Sequence, residues 1–436
     1  MIPAARIQTT IEVLEKIDAS RIPMDSTIGD YMRHRRYIGA KDRSNIAERL
    51  YNIVRHHARL SWWMKRLHIP PEPRTAVIVW LMLGEMRNEN AVRRIFDGSK
   101  HGAPSLLDNE EKYLAALAGH TMEHPDMPQS VRVECPPEKE EALRALFGAD
   151  FAAEMEAMLK PATLDLRVNT RLTTREEAQK SLRADGAESD FTPYSPWGLR
   201  LREKTHLSKT KAFVKGLVEI QDEGSQLVAY ICNAKAGMQV LDYCAGAGGK
   251  TLALAAAMQN KGRIVAMDSE KARLEKSRAR FRRAGVADII EVRPLSDEKN
   301  RKWLRRQEGT FDVVLIDAPC SSSGTWRRNP DLRWRTYGPS LEDIMTAQRE
   351  ILDKVAKTVK PDGRLVYATC SLFREENEDQ IEAFLSRHPE FAVMTVEQAW
   401  PEGSAAPVTG NYLRLTPGRH HTDGFFAAVL TRAKTA

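Results

Sequence analysis

"VLDYCAGAGGKTLALAA", residues 240–256, decides how the larger part of this chain folds. Val240 and Leu241 read as the end of a strand, Gly246, Gly248 and Gly249 as a tight turn, and the Leu/Ala run behind Lys250 as a buried helix. The same alternation repeats outward from it. "GRIVAMD" (262–268), "FDVVLIDAPC" (311–320) and "GRLVYATC" (363–370) are short apolar strands separated by longer amphipathic segments. Such alternation gives an α/β fold, a doubly wound parallel sheet of Rossmann type. Ligands of such sheets sit at the carboxyl ends of the strands, so the stretches that end these strands are expected over one cleft.

The glycine turn strips side chains from a place where a ligand could touch the backbone, and the helix behind it offers free N–H groups. The next strand stops at Asp268, about twenty residues on, where an acid can accept hydrogen bonds from ribose hydroxyls. Together they point to a nucleoside-bearing ligand. "CAGAGGKT" is one residue from a P-loop, with Cys244 in place of the first glycine, so an NTPase is one alternative. A dinucleotide fingerprint G-x-G-x-x-G is absent, whereas S-adenosylmethionine suits a GxGG turn followed by an acid.

Upstream the texture differs. Residues 1–135 read as helical, with Ile46, Leu50, Ile53 and Val54 on one face of "RSNIAERLYNIVRHHARLSWWM" (43–64). Arg43, Arg49, Arg55 and Arg59 lie off that stripe, as a solvated surface or as an RNA-facing patch with Arg33, Arg35, Arg36 and Lys41. Prolines and polar residues around 121–140 mark a boundary, and a helical linker spans 136–160. Residues 161–215 read as a small α/β module: "LDLRVN" (164–169) alternates like a strand, and Thr174 to Glu177 form a capping-box pattern. Residues 216–436 form the large α/β domain.

A content of 42% hydrophobic and 29% charged residues over 436 positions describes a soluble globular chain with room for several cores. No signal peptide or membrane span is read, and a cytoplasmic monomer is expected. Five scattered cysteines without a C-x-x-C pair argue against disulfides and against a structural metal site. A net charge of +7 is compatible with a polyanionic partner.

Two of those cysteines, Cys320 and Cys370, close strands over the expected cleft. A buried cysteine is most simply a small hydrophobe. Thiols beside a methyl donor suggest a specific chemistry, because carbon 5 of a pyrimidine is too weak a nucleophile to take a methyl group directly. A thiolate added at carbon 6 makes carbon 5 electron-rich, and elimination follows once a base removes the carbon-5 hydrogen. Asp317 is positioned to hold the ring nitrogens. In "IDAPCSSSGTWRRNPDLRWR" (316–335), Arg327, Arg328, Arg333 and Arg335 then read as phosphate contacts, and Trp326 and Trp334 as a stacking surface; a solvated basic loop is the simpler alternative. The chemistry alone does not order the two cysteines.

The set "QDEGSQLVA", "LDYCAGAGGKT", "AMD", "IDAPCSSSGTWRRNPDLRW", "ATCSLFREENE" and "TDGFFAAVL" resembles the Nop/Sun family of RNA cytosine-5 methyltransferases over roughly residues 161–436. The helical region is similar, more loosely, to the NusB-like RNA-binding domain of that family's bacterial ribosomal-RNA branch. The resemblance implies S-adenosylmethionine as cofactor and RNA, ribosomal in this branch, as partner. It implies Cys370 as nucleophile and Cys320 as the thiol that helps release product. The cofactor turn carries over to Cys244, Ala245, Gly246, Ala247, Gly248, Gly249 and Lys250, the ribose acid to Asp268, and the motif acid to Asp317. Two departures stand out: Ala247 replaces the usual proline, and "EVRPLSDEKNRKW" lacks the usual Gly-Asp, leaving Asp297 or Ser296 for the adenine-side contact. A ribosome-assembly factor without catalysis is the alternative class.

Overall fold

In the computed structural model, which describes residues 1–203 and 205–434, the chain divides into two units. One comprises Met1–Lys160 together with Trp326–Gly338; the other comprises Pro161–Thr325 and the chain from Pro339 onward. The segment expected to be a linker, 136–160, groups with the first unit, and Leu143, Phe147, Phe151 and Met155 on its short helices are buried.

The first unit is helical. The apolar stripe of the helix Ala40–Arg55 is its core face, with Ile46, Leu50 and Ile53 buried. The arginines beside that stripe each hold a partner within the unit, with Arg43, Arg49 and Arg59 partly exposed and Arg55 buried. Arg43 donates to the Ile38 carbonyl (2.7 Å), Arg49 to Glu85 (2.6 Å), Arg59 to the Arg132 carbonyl (2.8 Å) and buried Arg55 to the Arg327 carbonyl (2.9 Å).

The segment 326–338 packs within this helical unit. Asp331 accepts from the Met24 amide (2.9 Å), Arg333 donates to the Glu134 carbonyl (3.1 Å), and Trp334 donates to the Val54 carbonyl (2.9 Å). Arg335 pairs with Asp18. Trp326 and Arg333 are each 1% exposed, and Arg327 is buried as well. The expectation of an exposed arginine and tryptophan surface therefore fails for Trp326, Arg327 and Arg333. Periodicity cannot distinguish a solvated basic loop from one drawn into a core, and only Arg328, Trp334 and Arg335 of the set keep partial exposure.

In the second unit, β1 (Asp165–Val168), β2 (Ser189–Phe191), β3 (Gly198–Leu201) and β4 (Val218–Ile220) form an antiparallel sheet in the order β2-β3-β1-β4. Thr174 caps the helix Arg175–Ala184 through the Glu177 amide, and Ala178 and Leu182 of that helix join Leu166, Leu199 and Val218 in a small core. The module expected to end at 215 thus runs on to Ile220, since β4 pairs with β1.

The large sheet is eight-stranded. It contains β5 (Gln239–Asp242), β6 (Arg263–Asp268), β7 (Ile290–Pro294), β8 (Phe311–Asp317), β9 (Val359–Thr369), β10 (Phe391–Met394), β11 (Leu413–Leu415) and β12 (Phe425–Arg432). The order is β10-β12-β9-β8-β5-β6-β7, with β11 beside β12; β5 to β9 pair in parallel and β10 to β12 run antiparallel. This is the Rossmann-like sheet read from the sequence. The order reverses between β5 and β8, which opens a crevice at their carboxyl ends.

Candidate active site

A cavity of about 1100 Å³ occupies that crevice. The turn after β5 supplies Cys244, Ala245, Gly246, Ala247, Gly249 and Lys250 to its wall; β6, β8 and β9 end on it with Asp268, Asp317, Cys320 and Cys370. Gly248 lies beneath the turn instead. Its φ is +78°, and a Cβ there would stand 2.6 Å from the Phe281 ring, so the turn needs glycine for backbone and for space. Asp297 and Ser296 do not line the cavity, which takes Leu295 and Arg301 from that stretch, and the Asp297 carboxylate lies 3.4 Å from Lys271 Nζ. The chain turns there into the helix Glu298–Arg305, with Asp297 as its N-cap.

Asp268 braces the glycine turn. One of its oxygens accepts from the Gly246 amide (2.7 Å) and the other from the Glu270 amide (2.8 Å). A carboxylate has about four acceptor positions, so two stay available to a ligand. Local reading of the sequence did not find the cavity residues Ile220, Gln221 and Ser225, or Arg280, which donates to the Ala247 carbonyl (2.6 Å) while pairing with Glu219 of β4 (3.1 Å). The small sheet therefore helps to build the glycine turn. Only the tertiary fold brings residues so distant in sequence together.

Lys250 does more than line the turn. Its ammonium donates to Asp317 (2.7 Å), and the lysine is only 8% exposed. Burial opposes its charge, but Asp317, helped by Cys370 and Asp242, outweighs burial and raises its pKa. Beneath the turn, Asp242 is wholly buried and accepts from Thr251 (2.6 Å). Burial pushes its carboxyl up to about 7 against that hydrogen bond.

Cys320 Sγ and Cys370 Sγ stand 3.4 Å apart, each half-buried. Their environments polarise the pair. The hydrogen bond from Cys320 lowers the pKa of Cys370 against burial, and Ser322, whose hydroxyl is 3.5 Å away, lowers it further. The same contact, with burial and the charges of Cys370 and Glu376, raises Cys320. The two shifts thus run in opposite directions, Cys370 down and Cys320 up. Cys244, by contrast, is raised well above an ordinary thiol, first by burial and then by Asp317, Asp268 and Asp242.

Residues 229–431 match the family model described as 16S rRNA methyltransferase RsmB/F, and residues 140–208 match the ferredoxin-like domain of RsmF/B-like methyltransferases. The chain belongs to the RsmB/F family. Among its relatives, the probable ribosomal RNA small subunit methyltransferase B of Synechocystis is 36% identical over 62% of this chain and 60% of its own length. The ribosomal RNA small subunit methyltransferase B of Vibrio cholerae is 32% identical over 66% of this chain and 63% of its own. The chain thus spans somewhat over three fifths of these RsmB relatives. The crystal structure of PH0851 superposes with a TM-score of 0.78 at 27% identity, covering 100% of this chain and 99% of the other. No helix among the described residues is long and apolar enough to cross a membrane.

Proposed function

We propose that this chain transfers a methyl group from S-adenosylmethionine to carbon 5 of a cytidine in RNA, through a covalent bond between Cys370 and the base. The substrate class is ribosomal RNA of the small subunit, in line with the names of the relatives. The observation that carries the proposal is the thiol pair 3.4 Å apart on the wall of a cavity that also presents Asp268, Asp317 and a glycine turn.

The residues present suit the cofactor. The turn at Gly246, at φ +54°, keeps side chains off the cavity floor, and Asp268 has acceptor positions left for a ribose. Ala247, where the family commonly has proline, adds only a methyl group. S-adenosylmethionine, when bound, supplies an electrophilic methyl group.

The rest is done by side chains of this chain. The Cys370 thiolate adds to carbon 6 of the base, forming the S–C bond and enriching carbon 5. Asp317, held by Lys250, orients the base by accepting from its exocyclic amine, and the Lys250 ammonium beside it offsets the negative charge that develops on the ring. After methylation a base takes the carbon-5 proton, the S–C bond breaks, and Cys370 leaves as thiolate. Cys320, the protonated neighbour, assists this release.

Methyl incorporation into RNA, read together with cofactor binding by calorimetry, tests the proposal. Cys370→Ala is expected to abolish transfer while binding cofactor as the parent does. Transfer at the parental rate by that variant would exclude Cys370 as nucleophile.

A further inference from the structure

Glu376 takes no part in the chemistry above, yet it touches both cysteine loops. It closes the turn Arg374–Glu376 behind β9 and is 0% exposed. Its Oε1 accepts from the Ser321 amide (2.7 Å) and from Gln348 Nε2 (3.2 Å). Its Oε2 accepts from the Ser321 hydroxyl (2.5 Å) and from the Ser371 hydroxyl. Ser321 directly follows Cys320, and Ser371 directly follows Cys370. Gln348 also donates to the carbonyl of Pro319, the residue before Cys320 (2.9 Å). The Tyr367 hydroxyl donates to the Glu376 carbonyl (2.6 Å) and fixes the acid's own backbone.

A carboxylate removed from water is strongly disfavoured unless donors fill its lone pairs. Here the donors come from the loop after β8, the loop after β9 and the helix Leu341–Ala356. The acid is satisfied only while both loops are in place, and each loop is held by the acid. Two further bonds complete the lattice: Ser323 and Ser371 share a hydrogen bond (3.2 Å), and the Leu372 amide donates to Ser323 (2.8 Å).

We propose that Glu376 is the positioning residue that holds Cys320 against Cys370, a role that rests on the reading of Cys370 as nucleophile. Its charge also faces Cys320, where it joins the hydrogen bond to Cys370, burial and the Cys370 charge in keeping that thiol protonated. A neutral amide at 376 would place an N–H₂ donor against groups that are themselves donors, and would remove the charge. A role confined to stability would lower the melting temperature and leave the relative reactivity of the two thiols unchanged.

The test is iodoacetamide labelling of the full chain near neutral pH, with the rates at Cys370 and Cys320 resolved by mass spectrometry. In the parent, Cys370 is expected to react faster. Glu376→Gln is expected to reduce that preference about tenfold, the scale of a lost hydrogen bond to a charged group. Glu375→Gln, one position away, is expected to leave it as it is, and cofactor binding should stay parental in both variants. A folded Glu376→Gln protein with the parental preference would overturn the proposal. If that variant does not fold, Ser321→Ala decides: a smaller shift in the same direction supports the proposal, and an unchanged ratio refutes it. A parent without preference for Cys370 would instead remove the nucleophile reading, and this proposal with it.

Discussion

Cys370 and Cys320 were legible as a candidate pair because each ends an apolar strand, and strand ends in this fold class share a crevice. Their order was legible only from the family resemblance. In the structure Cys320 and Ser322 both bring Cys370 down while Cys320 is raised, the direction the proposed order requires. A thiol lowered in this way is a thiolate at lower pH than an ordinary cysteine, so the acid limb of the methyl-transfer profile is expected below the usual thiol range. Ser322→Ala, which removes one of the lowering contacts, should shift that limb towards higher pH in initial-rate measurements. An unshifted limb would show that the serine does not reach the thiolate. Asp268→Ala should weaken cofactor binding by about 1–3 kcal/mol in calorimetry, as expected for a lost hydrogen bond to a charged group. Asp297→Ala should leave it near parental, because Asp297 does not line the cavity.

The strand–turn–helix around Gly246 and the capping box at Thr174 were readable because both are set by residues a few positions apart. Contacts between distant loops were not. The backbone of Gly324 lies against Gly424: a Cβ on it would fall 2.3 Å from the Gly424 carbonyl oxygen. The Gly424 amide donates to Gly324 O (2.8 Å), and the Gly324 amide donates to Cys370 O (2.8 Å). Gly324→Ala should therefore cost about 1–3 kcal/mol in a urea melt, the scale of overpacking in a tight site. At the end of β5, the folded pKa of Asp242 is raised from 3.8 to about 7. A raised carboxyl contributes stability that is complete below its unfolded pKa and is lost as pH rises through the folded one. The parent should thus lose stability between pH 3.8 and about 7 from this group, and Asp242→Asn should flatten that part of the pH dependence.

The division of the chain was less legible than its strands. The break near 160 followed from a change of texture, but the assignment of 326–338 to the helical unit did not, because it depends on contacts with residues far earlier in the sequence, such as Arg333 with the Glu134 carbonyl and Trp334 with the Val54 carbonyl. Trp326→Ala is expected to destabilise that unit by about 3–5 kcal/mol, as for a buried aromatic in a core. Arg333→Ala should likewise lower its melting point while leaving the salt dependence of RNA binding unchanged, whereas a phosphate contact would reduce the slope. The central claim joins protein and RNA in one covalent species and is tested most directly by denaturing gel analysis of Cys320→Ala after incubation with RNA and S-adenosylmethionine. A protein–RNA adduct that survives denaturation, and disappears when Cys370 is also replaced by alanine, is the expected result. An adduct that persists without Cys370, or no adduct although RNA is methylated by the parent, would contradict the division of labour between the two thiols.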